Sequence, residues 1–170
     1  MKQKELKFFI NLAKLVADQS NAVRLKVGGV AVDQKGNIIC TGYNGDIKGG
    51  SNIIESRVYS GQDSPSEMRI YDRYDSSQRI AYRLETNPDT IHAEQNIIAH
   101  AARRGISIEG STFFMTHSPC NHCTALMIQS GVSEVVYSEK FRTFEETYSK
   151  YSKFIKFTQF EKENHESQNY

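Results

Sequence analysis

An α/β layered sheet is the fold class this sequence predicts, on two observations. Short apolar strands alternate with helical patterns along most of the chain. The first two strands are separated only by a tight turn and form a hairpin, whereas the later ones are joined through helices, so neighbouring strands there can run parallel. A length of 170 residues suits one domain around a single core.

Leu6, Phe9, Ile10, Ala13, Val16 and Ala17 recur at helical spacing, which predicts an amphipathic helix over residues 3–19. The same basic, partly apolar start has the outline of a signal peptide, but Lys7, Asn11 and Lys14 interrupt its apolar stretch. VGGVAVD (27–33) reads as a strand, QKGN as a turn and IICTGY (38–43) as the paired strand. From Asn44 to Asp89 the patterning weakens. This stretch is too long for a plain connection and reads as an insertion at about 51–89, with helix expected near 66–84. Regular patterning returns at IHAEQNIIAHAARRG. There Asp89 or Thr90 is the expected N-cap, Gly105 the expected C′ residue, and Ala93, Ile97, Ile98 and Ala101 the buried stripe. STFFMT (111–116) is an apolar strand, CNHCTALMIQSG a helix ended by Gly131, and SEVVYS the next strand. RTFEETYSKYS reads as helix, and KFIKFTQF (153–160) alternates like a last strand. The expected organisation is one domain over 1–160 and a frayed polar tail over 161–170.

Composition narrows the function classes. A net charge of +1 provides no general field toward a polyanion. The five arginines between residues 51 and 89 are interspersed with seven carboxylates (Glu55, Asp63, Glu67, Asp72, Asp75, Glu85 and Asp89), which reads as a mixed-charge surface. No stable nucleic-acid partner is therefore expected. No apolar run reaches transmembrane length, so no membrane association is expected either. Three cysteines, an odd number, do not suit a disulfide framework. They fit a reducing, cytoplasmic setting where thiols serve as ligands.

The motif SPCNHC (118–123) places Cys120 and Cys123 three positions apart, a spacing common in zinc sites. A closed structural zinc needs four protein ligands, whereas three with one place left for water is the catalytic pattern. His92, in IHAEQN, heads the preceding helix as the cysteines head theirs. If the two helices lie side by side, the three donors can converge. Helix N-termini favour thiolates. Glu94, two residues after His92, can lie alongside the metal as a general base and acid. Among possible fourth ligands, His100 lies two turns down its helix and His122 sits inside the CxxC. His117 is near enough to remain a candidate, and Cys40 reads as a small buried hydrophobe. The order H-x-E followed by P-C-x-x-C, here HAE (92–94) and PCNHC (119–123), is the signature of zinc deaminases. Either half alone is weak; together, each opening a helix with a strand between, they are strong.

With these pieces the chain resembles the deoxycytidylate (dCMP) deaminases of the cytidine deaminase superfamily, including viral and phage members. KVGGVAV (26–32), ICTGYNG (39–45), HAEQNII (92–98), SIEGSTFFMTHSPCNHC (107–123) and ALMIQSGVSEVVY (125–137) carry the resemblance, with GYNG beside the KVGGV strand the more discriminating mark. The resemblance implies a three-layer α/β/α domain around a five-stranded mixed sheet, and zinc-dependent hydrolysis of dCMP to dUMP and ammonia. It implies one Zn2+ held by His92, Cys120 and Cys123, with Glu94 moving protons. It further implies substrate binding through Asn44, the backbone of Ala93 and Ser118, and Tyr137. For the GYNG residues Gly42, Tyr43, Asn44 and Gly45 it implies a part in binding regulatory dCTP or dTTP with Mg2+ in a homohexamer. In a viral member the enzyme would work in the host cytoplasm. Two departures stand out. GYNGDIKGG has Ile47 where the family often has proline, and SNAVRLK lacks the upstream cysteines that hold a second zinc in some viral members.

Three other functions share parts of this pattern. A deaminase accepting dCTP also or instead would keep every motif. A deaminase of tRNA or single-stranded DNA should add a basic groove. A zinc-binding regulatory domain without activity should have lost the acid–base carboxylate, whereas Glu94 is intact.

Overall fold

The protein's structure, a computed structural model, describes residues 1–61 and 71–161. Helix α1 (Gln3–Ala17) leads into the hairpin of β1 (Gly28–Val32) and β2 (Ile38–Tyr43). After the insertion come α2 (Ala93–Arg103), β6 (Thr112–His117), α3 (Asn121–Gln129), β7 (Glu134–Glu139), α4 (Phe144–Tyr151) and β8 (Lys156–Gln159). The main sheet has five strands in the order β2-β1-β6-β7-β8. Pairing is antiparallel from β2 through β6 and parallel from β6 through β8, as expected where helices make the crossovers.

Alternation along the strands builds the layers. Val30, Val32, Phe114 and Val136 face one side, where Phe9, Ile10 and Ala13 of α1 cover them. Ala31, Phe113, Met115 and Val135 face the other, against Ala93, Ile97 and Ala101 of α2 and Met127 of α3. All these strand residues are fully or almost fully buried. The expected three-layer α/β/α arrangement around a five-stranded mixed sheet is thus present.

Helix α2 lies unusually close to β2. A Cβ at Gly42 would stand 2.7 Å from the Ala93 carbonyl oxygen and 2.8 Å from the Ile97 nitrogen, both backbone atoms that cannot swing aside. The Cys40 thiol meets the Ile97 carbonyl at 3.4 Å, and the Asn96 amide donates to the Tyr43 carbonyl at 2.7 Å. Gly42→Ala should therefore cost about 1–3 kcal/mol, the usual range for overpacking, and displace the start of α2. Urea denaturation checks the first effect and activity the second. A variant of wild-type stability would show that the helix yields without cost.

The helix starts later than the sequence suggests. Its N-cap is His92, not Asp89 or Thr90. The reason is an isolated bridge between Gly45 and Ile91, with backbone bonds of 3.0 and 2.8 Å, which holds the chain extended through residue 91. The Gln95 side chain then accepts the His92 amide at 2.7 Å. Gly105 and Gly131 end α2 and α3 with φ of 64° and 81°, in the left-handed region that suits glycine.

The insertion forms a second sheet, β3-β5-β4, from β3 (Glu55–Tyr59), β4 (Arg73–Asp75) and β5 (Ile80–Thr86). The helix expected near 66–84 is corrected over 71–84, which is strand and turn; residues 66–70 of that expectation lie outside the described residues. Asp75 decides the turn. Its Oδ1 accepts from the Ser77 amide and hydroxyl and the Gln78 amide at 3.0, 2.6 and 3.2 Å, and Arg79 takes φ 55°. The Arg57 guanidinium reaches Asp75 Oδ2 at 2.9 Å and stitches β3 to this turn.

Candidate active site

His92 and Cys120 occupy the N-cap positions of α2 and α3, in extended backbone with φ of −72° and −76°. Cys123 lies in the first turn of α3. His92 Nδ1 stands 3.4 Å from Cys123 Sγ and 3.7 Å from Cys120 Sγ. The three donor atoms lie within 4.8 Å of one another, close enough for one ion to touch all three. His117, the remaining candidate for a fourth ligand, does not join them; its Nδ1 lies 3.1 Å from the Thr116 hydroxyl. His100 Nδ1 lies 3.1 Å from the Thr41 carbonyl oxygen, and Cys40 is buried beneath α2.

The electrostatics call for a cation. A hydrogen bond with Cys123 pulls the Cys120 thiol down to about 3, against the opposing effect of burial. The same bond, with burial, pushes the Cys123 thiol far up. Two thiolates side by side repel, so one ionises at the other's expense. The Cys120 bond raises His92 despite its burial. A divalent ion among two sulfurs and an imidazole nitrogen resolves this conflict, and the donor set fits zinc. Beside the trio Glu94 is 4% exposed. Burial is the largest influence on its carboxyl and pushes its pKa up.

His92, Cys120, Glu94 and Ala93 line a cavity of about 120 Å³, whereas Cys123, 1% exposed, is not part of its lining. Leu25, Val27 and Asn44 contribute one part of the wall. Ile54, Glu55, Thr86 and Thr90 contribute another, and Phe141 a third.

Residues 3–139 match the cytidine and deoxycytidylate deaminase zinc-binding region. The chain belongs to the cytidine and deoxycytidylate deaminase family. Among its relatives, the deoxycytidylate deaminase of Enterobacteria phage T4 is 35% identical over 148 residues, covering 78% of this chain and 76% of that one. The deoxycytidylate deaminase of Mus musculus is 28% identical, covering 82% and 68%. Among solved structures, the dCMP deaminase of cyanophage S-TIM5, crystallised with dCMP and dUMP, is similar at a TM-score of 0.70 and 27% identity, covering 94% of this chain and 98% of that one.

Within this deaminase framework the other expected residues divide. Asn44 lines the cavity, and its amide also builds the wall. Oδ1 accepts the Val27 amide at 2.8 Å, and Nδ2 donates to the Leu25 carbonyl at 2.9 Å. Ser118 is buried. Its amide donates to the Glu139 carbonyl at 2.9 Å, and its hydroxyl accepts the Phe141 amide at 2.8 Å. Gly42 lies under α2 and Gly45 in the bridge to Ile91, whereas Tyr43 is 40% exposed. Tyr137 is not brought to the cavity. It is 3% exposed, its ring centroid is 5.2 Å from that of Phe144, and burial raises its phenol to about 12.

Sequence reasoning missed Phe141 and the insertion's share of the wall. An aromatic residue just beyond a strand that ends near the motif was a usable signal for Phe141. Glu55 and Thr86 had none, because a carboxylate and a hydroxyl in a mixed-charge stretch read as surface.

Proposed function

We propose that this chain is a zinc-dependent deoxycytidylate deaminase, converting dCMP to dUMP with release of ammonia. The observation that carries the reading is Glu94, a carboxyl buried to 4% exposure beside the converging donors His92, Cys120 and Cys123. Those three residues would hold the ion. When bound, zinc supplies Lewis-acid chemistry and makes water a better nucleophile.

The chain's own part is proton movement and placement. Glu94 takes a proton from the attacking water, passes one to the ring nitrogen of cytosine and delivers one to the departing amine. Burial raises its pKa, which lets it hold a proton near neutral pH more readily than an exposed glutamate. The Ala93 backbone, which lines the cavity, and the Ser118 carbonyl, its amide being bonded to Glu139, read the base, and Asn44, with one amide hydrogen beyond its wall bonds, faces the sugar. A regulatory dCTP or dTTP with Mg2+ would meet the GYNG loop at Tyr43, its exposed side chain. The protein is read as one domain over 1–160, since residues flanking the main-sheet strands, the starts of α2 and α3 and the second sheet all line one cavity. It is also read as a homohexamer working in the cytoplasm, that of the host if the chain is viral.

Ammonia release from deoxycytidine, dCMP, dCTP and a cytosine-containing oligonucleotide, each with and without added dCTP and dTTP, tests the reading. Turnover of dCMP well above the others is expected. Preference for dCTP or the oligonucleotide would replace it. Sedimentation should show an oligomer; a single species near the 19.3 kDa chain mass at micromolar concentration would overturn that part.

A further inference from the structure

We propose that Glu55, on the first strand of the insertion, reads the free 3′-hydroxyl of the substrate's deoxyribose and so confines the site to mononucleotides. The inference rests on the deoxycytidylate reading above and deepens it.

His92, Cys120 and Glu94 line the same cavity as Glu55, so a nucleotide that sets its base against them brings its sugar to the rest of the wall. Glu55 stands in that wall. Its carboxylate is held in place by backbone: the Val23 amide reaches both oxygens, at 3.0 and 3.1 Å, and the Arg24 amide reaches Oε1 at 3.0 Å. A carboxylate offers about four lone-pair positions and no proton, so capacity remains, chiefly on Oε2. Such a group welcomes a hydroxyl donor and repels an anion.

Its neighbours in the wall have other work. Thr90 Oγ1 donates to the Ile54 carbonyl at 3.4 Å, and Thr86 Oγ1 accepts from the Arg24 guanidinium at 3.3 Å. The Asn44 amide bonds residues 25 and 27 and keeps one N–H, which can donate to a sugar oxygen, whereas Glu55 accepts the proton of a sugar hydroxyl.

A 5′-phosphorylated deoxynucleotide carries one sugar hydroxyl, at the 3′ carbon. In a polynucleotide that oxygen is esterified. It then has no proton to donate and brings a negative charge against a fixed carboxylate. One side chain thus both favours the free nucleotide and disfavours the polymer, since the same carboxylate accepts a hydroxyl proton and repels a phosphodiester.

The test compares dCMP with 2′,3′-dideoxycytidine 5′-monophosphate and with deoxycytidine 3′,5′-bisphosphate, using zinc-replete wild-type protein and Glu55→Gln. Wild type should favour dCMP over the dideoxy analogue by about ten- to hundredfold in kcat/KM, the range for a hydrogen bond to a charged group. It should leave the bisphosphate almost untouched. Glu55→Gln keeps the shape and a carbonyl oxygen for the backbone amides, so the fold should hold, as a thermal melt will show. Its preference for dCMP over the dideoxy analogue should fall to within about threefold, because a neutral amide bonds the hydroxyl only weakly. A general structural role would lower both rates and leave their ratio alone. Equal turnover of dCMP and the dideoxy analogue by wild type would overturn the inference, as would an unchanged ratio in the variant. Zinc-replete wild type with no dCMP turnover would remove the underlying reading and this inference with it.

Discussion

Glu94→Gln protein is expected to keep its fold and its zinc while losing deamination by at least about 10²–10⁴-fold, the usual span of general acid–base catalysis. The carboxyl is 4% exposed and burial already favours its neutral form, so a neutral amide of nearly the same size should fit. None of the three candidate ligands changes. Glutamine can still hydrogen-bond water, but it cannot accept a proton and return it, and the proposed reaction needs both several times over. The competing account gives Glu94 only a charge at the start of α2. That role is worth roughly 0.3–1 kcal/mol and would leave turnover almost intact. Metal content, a melting curve and dCMP turnover on one preparation separate the two. Zinc-replete Glu94→Gln within about tenfold of wild type, below the low end of acid–base catalysis, would sink the mechanism.

The second large effect is on metal content. Wild type should hold one zinc per chain, and Cys120→Ala should hold almost none after dialysis, because two donors are too few for a tight site. Of the two thiols, Cys120 is the one pulled toward thiolate, so its loss also removes the readiest anion at these helix starts. Cys40→Ala is the matched control. That thiol is buried at 7% exposure, bonds the Ile97 carbonyl and is no part of the donor trio. Its loss should cost some stability through the cavity left behind and leave zinc in place. Metal analysis giving two zincs in wild type would point to a further site. One zinc retained in Cys120→Ala would show that this thiol is no ligand.

The sequence made the main sheet legible because its three central strands are buried on both faces. GGVAV, TFFMTH and EVVYSE are short, apolar and bounded by glycines or polar turns, so their extent could be read within a residue or two. The donor trio was legible for another reason: its residue types are rare and each opens a helix. The insertion was not. Along β5 the pattern is one of half-buried residues, with Tyr82 against Tyr59, Arg57 over the Tyr82 ring and Arg83 bonded to Glu85. In β5 itself Ile80, Tyr82 and Leu84 alternate with Ala81, Arg83 and Glu85, but β3 and β4 set Arg57 and Arg73 opposite that apolar row, so the stretch as a whole reads as mixed charge. The start of α2 was misplaced because nothing local marks the pairing of Gly45 with Ile91, a contact between residues far apart in the chain. Tyr137 looked available near a strand end, but its position on the face with Phe113 and Met115 sends its ring into the core.

The Gly45–Ile91 pairing brings the two ends of the stretch 46–90 together beside the end of β2 and the start of α2. Tethering the two ends of such an excursion costs conformational entropy that rises only with the logarithm of its length, about 0.6 kcal/mol for each doubling. Residues can therefore be gained or lost between these anchors with little mark on the five-stranded sheet. The same stretch carries Ile54, Glu55, Thr86 and Thr90 to the cavity. Under the proposal above, substitutions confined to this excursion could alter which molecules are admitted without touching His92, Glu94, Cys120 or Cys123, so selectivity and chemistry are separable within one chain.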